Sequence, residues 1–259
     1  MASHEERLAA GLFLHALFPL LKVVMNENAG VRKKFAGVNA SVQFQARDGE
    51  GDMGAYLKFA DGRLDVVEGT CPKPDIAFLF ASVKRMNAML GGKPALFRIR
   101  GFYRVPLLVK VLALLMNLTL LMPTARPADP EKKRLKVKLT LYMMAASLSQ
   151  FNKLGNPDIR KWTSMQPERI YQFSVAGRED MAAYLRVKAG KTQAGPGLYA
   201  KRRPFVHMKF RSVDEALPII LNEVNMVMAV EKGYLALEGS PEYARDIGNF
   251  MMQIQSLIM

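Results

Sequence analysis

The hydrophobic pattern of the first half of the chain predicts helices at both ends and a run of strands between them. A nearly continuous apolar stretch at residues 7–25 predicts a buried helix, because its few polar positions fall on one narrow stripe. Alternating apolar and polar residues then predict four strands, at residues 38–46, 53–60, 63–68 and 75–80. Beyond them the pattern predicts a helix over 82–90 that Ser82 caps, a fifth strand over 95–100 and an apolar helix over 105–121.

The second half of the chain shows the same order of predicted elements. It begins with a helix over 131–153 and continues with strands at residues 169–176, 181–188 and 205–210. Ser212 predicts the start of another helix, whose apolar face extends as far as Val227, and Pro218 either kinks this helix or begins it. A strand over 233–238 and an amphipathic helix over 242–258 complete the series.

Short sequence matches indicate that the two halves are copies of one domain. Residues 52–58 read DMGAYLK and residues 180–186 read DMAAYLR, so five of the seven positions are identical. A later match pairs Gly101 with Gly239, and the offset grows from 128 residues at the first match to 138 at the second. A repeat of this length has the size of a whole domain rather than of a solenoid unit.

A proline-rich segment separates the two copies. Pro123, Pro127 and Pro130 lie within eight residues, which forbids a continuous helix there. The sequence therefore predicts a first domain at residues 1–125 and a second, more divergent domain at residues 129–259. Each is expected to be an α+β domain, in which helices cover one face of an antiparallel sheet.

Several motifs of the first copy occur in an order that points to a known family. A strand begins at Pro74-Asp75, a short helix follows, a turn contains Gly92-Lys93, and the next strand ends at Gly101 before the last helix. This order resembles the sterol carrier protein type 2 domain, over about residues 40–120. The second copy matches more loosely, since Pro204-Phe205 replaces the Pro-Asp pair and the Gly-Lys turn is missing.

The resemblance implies a non-catalytic protein that holds a lipid in an apolar tunnel between sheet and helices, without a metal or cofactor. Helix and strand phase then select the side chains expected to line that tunnel. In the first copy they are Phe78, Phe80, Met86, Met89, Leu108, Val111, Leu112 and Leu115. In the second copy they are Leu217, Ile220, Leu221, Val224, Phe250, Met251 and Ile254. The ligand would be a sterol, hopanoid, fatty-acyl or isoprenoid tail.

The charge of the chain narrows the class of partner. The net charge is +14, and residues 1–128 and 129–259 each carry +7 of it, so the charge belongs to both copies. A basic protein is attracted to nucleic acid or to the anionic face of a membrane. Cys71 is the one cysteine, which excludes an internal disulfide. With no secretory signal expected, we predict a cytoplasmic protein that docks peripherally on the inner face of the membrane.

Three functions remain open at this point. Lipid binding or transfer is the first. The second is a scaffold that fills its own tunnels and recruits enzymes of lipid or quinone synthesis, and its apolar helices would then form core and interfaces. The third is an enzyme built on a carboxylate pair, although the sequence shows no nucleophile elbow, phosphate loop, dinucleotide fingerprint or metal-ligand spacing. The basic run Lys201-Arg202-Arg203 reads as a solvated face or a membrane-docking patch, and no motif favours nucleic-acid binding.

Overall fold

A computed structural model describes residues 1–49 and 51–258, and the chain divides into two compact units. The first unit is Met1–Leu118 together with the C-terminal residues from Ser256, and the second is Thr119–Gln255. Each unit contains a five-stranded sheet with helices packed on it. The predicted fold class, two tandem α+β units of sheet and helices, is confirmed.

The first unit follows the predicted order of elements closely. Its helices are α1 (His4–Leu12), α2 (Leu20–Glu27), α3 (Ala29–Lys34), α4 (Val83–Leu90) and α5 (Val105–Leu115). Its strands are β1 (Ala40–Ala46), β2 (Met53–Ala60), β3 (Arg63–Glu68), β4 (Ile76–Phe80) and β5 (Arg98–Arg100). The predicted helix over 7–25 is α1 and α2 joined by a π-helical stretch at Phe13–Leu17, and the predicted helix over 105–121 is α5 followed by a 3₁₀ stretch at Met116–Leu121.

The strands of the first sheet, called sheet 1, lie in the order β3-β2-β1-β4-β5. The β1–β4 pair is parallel and the other three pairs are antiparallel, so the sheet is mixed where a wholly antiparallel one was expected. Chain order explains the difference. After β3 at one edge, the chain crosses to the far side of β1 and enters β4 in the same direction as β1.

The core of the first unit lies on one face of sheet 1, called its inner face. Phe44 of β1 stacks on Phe78 of β4, with ring centroids 4.7 Å apart, and Phe18 meets the edge of Phe44 at 4.9 Å. The helical stretch His4–Glu27 is long and apolar enough to cross a membrane, and most of it is buried inside the protein. It thus provides the apolar layer that covers the inner face.

The second unit contains the corresponding elements. Its helices are α6 (Pro130–Lys153), α7 (Pro157–Ser164), α8 (Val213–Ile220), α9 (Met226–Glu231) and α10 (Pro241–Ile258). Its strands are β6 (Arg169–Val175), β7 (Arg178–Lys188), β8 (Lys191–Pro196), β9 (Val206–Phe210) and β10 (Leu235–Gly239). Sheet 2 has the order β10-β9-β6-β7-β8, with β6 and β9 parallel, so its topology equals that of sheet 1.

In the second unit one predicted helix is wrong in its extent, and one strand was not predicted. The helix expected to run from Ser212 to Val227 is broken into α8 and α9. Asn222 between them has a φ of +58°, outside the helical region, and Asn225 caps the start of α9 through its side chain. Strand β8 was not predicted, because it is an edge strand whose outward residues are polar and show no apolar alternation.

Hydrogen bonds at matching positions confirm that the units are structural copies. Ser82 and Ser212 cap α4 and α8, each accepting from the backbone N–H three residues later. The N–H that follows β1 donates to the carbonyl that ends β4, from Arg47 to Phe80 at 3.2 Å. In the second unit Ala176 makes the same bond to Phe210 at 2.8 Å.

Candidate functional site

The outer side of α5 and the segment before it expose an unusual amount of apolar surface. Val105, Val109 and Leu112 recur at helical spacing on one side of α5, and they are 56%, 59% and 43% exposed. Met116, one turn further, continues the row. Leu96, Phe102 and Tyr103, just before the helix, are even more exposed. We call this set of seven residues the apolar stripe.

Basic residues surround the apolar stripe in the sequence, and one of them, Arg104, is paired in the structure with Asp75 at 2.6 Å. Residues 76–128 contain eight Lys or Arg and no Asp or Glu, which accounts for the whole excess of positive charge in the first half of the chain. Within this stretch Arg98, Arg100 and Arg104 are exposed, and Lys110 is half-buried on α5 itself. An apolar face with a basic border matches the chemistry of an anionic membrane surface.

The tunnel residues predicted in the first copy divide into a buried group and a peripheral group. Phe78, Phe80, Met86 and Val111 are buried, and both phenylalanines contact the ring of Phe97. The half-buried residues are Met89, Leu108 and Leu115. Leu112 does not join them, since it belongs to the apolar stripe on the exposed side of α5.

In the second copy the predicted tunnel residues are also mixed in their environment. Phe250 and Ile254 of α10 are buried, and Phe250 packs on Trp162 with ring centroids 5.4 Å apart. The half-buried residues are Leu217, Ile220, Leu221, Val224 and Met251. Trp162 also donates a hydrogen bond of 2.9 Å from Nε1 to Asp246, which ties α7 to α10.

A cleft of about 610 Å³ lies in the first unit, on the face of sheet 1 that points away from the core, called its outer face. Its floor consists of outward-facing residues of β1 and β4, among them Gln43, Gln45 and Leu79. Phe80 is the one predicted tunnel residue on its wall. The walls also carry four arginines, Arg47, Arg85, Arg98 and Arg100. We call this the arginine cleft.

The outer face of sheet 2 carries a different polar arrangement. Ser174 Oγ lies 2.7 Å from His207 Nε2, and His207 Nδ1 lies 3.9 Å from a carboxylate oxygen of Glu238. Burial lowers the pKa of His207, while Glu238 acts in the opposite direction. Ser174 is only 4% exposed, so its hydroxyl is covered. The three residues form a polar link across β6, β9 and β10.

The side chains that could ligate a metal ion are dispersed over the two units. Among residues 1–49 and 51–258, no group of three or more His, Cys, Asp or Glu side chains is placed to hold a metal ion. His15 lies on the apolar N-terminal helical stretch, where burial lowers its pKa and Glu68 opposes the shift. His207 lies in β9, as the strand pattern predicted.

The apolar stripe and the arginine cleft were missed by reasoning from sequence patterns. The signal was present, because residues 76–128 combine eight basic residues with no acidic one, in a stretch that also contains the most apolar helix of the first copy. Averaging the charge over each half of the chain concealed this concentration. Which side of α5 faces outward depends on packing, which composition does not define.

Comparisons with known proteins do not assign the chain to a family. No protein-family model and no curated protein matches the sequence. Among solved structures it is similar to a double mutant of the sec-alkyl sulfatase PisA1, with a TM-score of 0.29 and 11% identity over 56% of this chain. It is also similar to the stereoselective inverting sec-alkylsulfatase Pisa1 from Pseudomonas sp., with a TM-score of 0.27 and 13% identity over 56% of this chain. The chain spans 28% of each sulfatase, and likeness at this level transfers no activity.

Proposed function

We propose that this protein is a non-catalytic lipid-binding protein that docks on anionic membranes through the apolar stripe. The observation that carries the proposal is the exposure of Val105, Val109 and Leu112 along one side of α5, within a stretch of net charge +8. Exposed apolar patches of this kind mark interaction sites on soluble domains. Because the stripe has a basic border, the surface that it binds should be anionic. Each basic residue near such a surface contributes about 1 kcal/mol of binding free energy.

The lipid tail would be held on the opposite side of α5. Val111 and Leu114 point inward there, and α5 packs on α2 of the apolar N-terminal stretch. The predicted tunnel residues Phe78 and Met86 belong to this interior, and Leu108 is half-buried at its edge. A lipid tail that enters between α5 and the core would contact the apolar side chains that now contact one another. Each methylene of the tail that leaves water would contribute about 0.8 kcal/mol of favourable binding free energy.

A scaffold that binds a protein partner is the second candidate, and one observation favours it. Phe78, Met86 and Val111 are at most 1% exposed, so these side chains already fill the space that a tunnel would need. The apolar stripe would then receive an apolar surface of an enzyme, such as one of lipid or quinone synthesis. This candidate predicts no lipid in the purified protein.

Vesicle co-sedimentation distinguishes the two candidates. The full chain should bind vesicles of phosphatidylcholine with about 30% phosphatidylglycerol, fail to bind pure phosphatidylcholine, and release from the anionic vesicles as salt rises. Val109→Asp should reduce binding about tenfold or more, because a charge would enter the apolar layer. Val227→Asp is the matched control, since Val227 is a 68% exposed valine on α9.

Native mass spectrometry with organic extraction supplies the second readout. A co-purifying lipid supports carriage, and Val109→Asp should leave it in place because Val109 points away from the interior. Equal vesicle binding by the wild type and the Val109→Asp variant would contradict the docking surface. Absence of any lipid, before and after incubation with mixed lipids, would favour the scaffold.

A further inference from the structure

The four guanidinium groups of the arginine cleft outnumber the carboxylates among its described lining residues. The guanidinium groups of Arg47, Arg85, Arg98 and Arg100 form no ion pair and no hydrogen bond with any described residue. Among the described residues that line the cleft, Asp52 is the one carboxylate, and Gln45 Nε2 donates to it. Four like charges around a common space repel one another unless an anion joins them.

The positions of the arginines follow from the fold. Arg98 and Arg100 alternate with Ile99 on edge strand β5, so both point to the outer face, opposite Leu79 and Ala77 of β4. Arg47 directly follows β1, and its N–H is fixed by the Phe80 carbonyl. Arg85 lies in the first turn of α4, where its N–H donates to Ser82 Oγ at 3.3 Å. Three separate elements thus direct arginines into one cleft.

The second copy shows that the fold does not need these arginines. The same register and hydrogen bonds place Ala176 where the first copy has Arg47, and Glu215 where it has Arg85. On the last strand, Ala236 and Glu238 take the places of Arg98 and Arg100. Sheet 2 forms with two alanines and two glutamates at these four positions. The arginines are therefore a property of the first copy alone, and stability of the shared fold does not explain them.

One part of the cleft wall is apolar. Leu96 is 76% exposed and Phe97 is 38% exposed, and both line the cleft beside the arginines, together with Phe80, Pro72 and Pro74. Leu96 also belongs to the apolar stripe, so the cleft and the proposed docking surface adjoin. A ligand that binds both the arginines and the apolar part of the wall has an oxyanion at one end and an apolar chain at the other.

We propose that the arginine cleft binds the phosphate group of an amphiphile, with the first part of its chain against Leu96 and Phe97. Guanidinium groups bind phosphate through paired N–H···O bonds, and several can share one tetrahedral oxyanion. The amphiphile is either a phospholipid in the membrane or a soluble phosphate monoester, and the phosphate is common to both. Its identity as a lipid rests on the proposed function, whereas the anion site itself does not.

Isothermal titration calorimetry of the full chain with hexyl phosphate tests the site. We expect one site for each chain and binding at least about tenfold tighter than that of inorganic phosphate, because the apolar wall contributes about 0.8 kcal/mol for each buried methylene. Hexanol should not bind measurably. The double variant Arg98→Ala with Arg100→Glu, which carries the residues of the second copy, should weaken hexyl phosphate binding at least about tenfold.

The control lowers the net charge by the same three units at two other exposed positions of the same unit, in the double variant Arg32→Ala with Lys33→Glu on α3. It should bind hexyl phosphate as the wild type does. Equal affinity of the two double variants would overturn the site, because the effect would then be one of net charge. The same follows if the wild type binds hexyl phosphate no better than hexanol.

Vesicles distinguish the two sources of the phosphate and separate this inference from the proposed function. If the Arg98→Ala/Arg100→Glu variant loses a preference for phosphatidic acid over phosphatidylserine vesicles, the site takes a membrane headgroup. If it loses hexyl phosphate but keeps the lipid preference of the control, the site takes a soluble monoester. If the wild-type protein binds hexyl phosphate but no vesicles, the phosphate site stands and membrane docking is refuted. The Val109→Asp variant should lose vesicle binding and keep hexyl phosphate binding.

Discussion

Gly101 and Gly239 occupy the same place in the two units, and each lies against a backbone carbonyl of the neighbouring strand. Each lies at the end of the last strand of its sheet with a positive φ, +77° for Gly101 and +97° for Gly239. A Cβ atom at Gly101 would lie 2.1 Å from the carbonyl oxygen of Asp75, and one at Gly239 would lie 2.0 Å from that of Phe205. In both cases the carbonyl belongs to the residue at the start of the neighbouring strand, so the same close approach recurs in both units.

This relationship predicts that either glycine is intolerant of a side chain. Gly101→Ala and Gly239→Ala should each reduce the free energy of unfolding by at least about 2 kcal/mol, because the clash is with backbone and the φ is unfavourable for alanine. Gly37→Ala is the control, since Gly37 has a φ of +68° and a Cβ atom there would meet nothing within 4 Å. Gly37→Ala should reduce the free energy of unfolding by only about 1 kcal/mol.

Hydrogen exchange locates the effect in the unit that carries the substitution. Gly101→Ala should increase exchange at β4 and β5, and Gly239→Ala should increase it at β9 and β10. Denaturant unfolding supplies the total change, analysed without assuming one transition for two units. A Gly101→Ala protein as stable as the Gly37→Ala control would contradict the shared geometry.

Lys136 provides the second prediction, because it is a fully buried lysine with carbonyl partners. Its Nζ donates to the carbonyl oxygens of Leu120 and Met122, at 2.7 and 2.9 Å, and burial lowers its pKa. Lys136→Met should destabilise the second unit by about 2 to 3 kcal/mol, since both carbonyls lose their charged donor. The segment that includes Met122 should become a site of rapid proteolysis.

The exposed Lys132 on the same helix gives the matched comparison. Lys132→Met removes an equal charge without removing a buried donor, and it should change the free energy of unfolding by less than about 0.5 kcal/mol. Limited proteolysis and denaturant unfolding of the two variants measure the difference. Identical cleavage rates for both would mean that Lys136 does not anchor the segment.

Stability should fall as the pH falls below about 6.5, the ordinary value for histidine from which burial lowers the pKa of His207. Below that pH the unfolded chain takes up a proton that the folded protein does not, so acid favours unfolding. The loss continues down to the pKa of the folded state, with a slope of at most about 1.4 kcal/mol per pH unit for one histidine. Above about pH 7 this contribution is constant.

The variant His207→Gln tests this assignment, since the glutamine amide can still hydrogen-bond Ser174 and does not titrate in this range. Its unfolding free energy between about pH 7.5 and 5.5 should be flatter than that of the wild type. The residual slope should come partly from His15, whose pKa burial also lowers. His4→Gln is the control, and a pH profile of His207→Gln that coincides with it would show that the pKa of His207 is not lowered in the folded protein.

The sequence was sufficient for much of the fold because the duplicated pattern is explicit. Strands β2 and β3 lie where alternation predicted them, and Ser82 and Ser212 cap their helices as their positions implied. The matched motifs paired Gly101 with Gly239 correctly, although the physical reason, a backbone carbonyl about 2 Å from a Cβ position, is visible only in three dimensions. Local chemistry encodes caps and turns strongly.

The sequence was less informative about crossings, breaks and surfaces. The parallel pairing of β1 with β4 depends on a crossover that no local pattern records. The break between α8 and α9 depends on a left-handed Asn222, a conformation open to asparagine but not required of it. Leu112 was assigned to an interior tunnel, and its exposure on the apolar stripe depends on how α5 packs.

A fluorophore placed on the apolar stripe tests the central claim most directly. In a Cys71→Ser background, an environment-sensitive NBD label on Val109→Cys is compared with the same label on Val227→Cys, both replacing exposed valines. With phosphatidylglycerol-containing vesicles, the label at position 109 should shift to shorter wavelength and become protected from an aqueous quencher, while the label at 227 should not change. Unchanged emission at 109, or an equal response at both positions, would contradict membrane docking through α5.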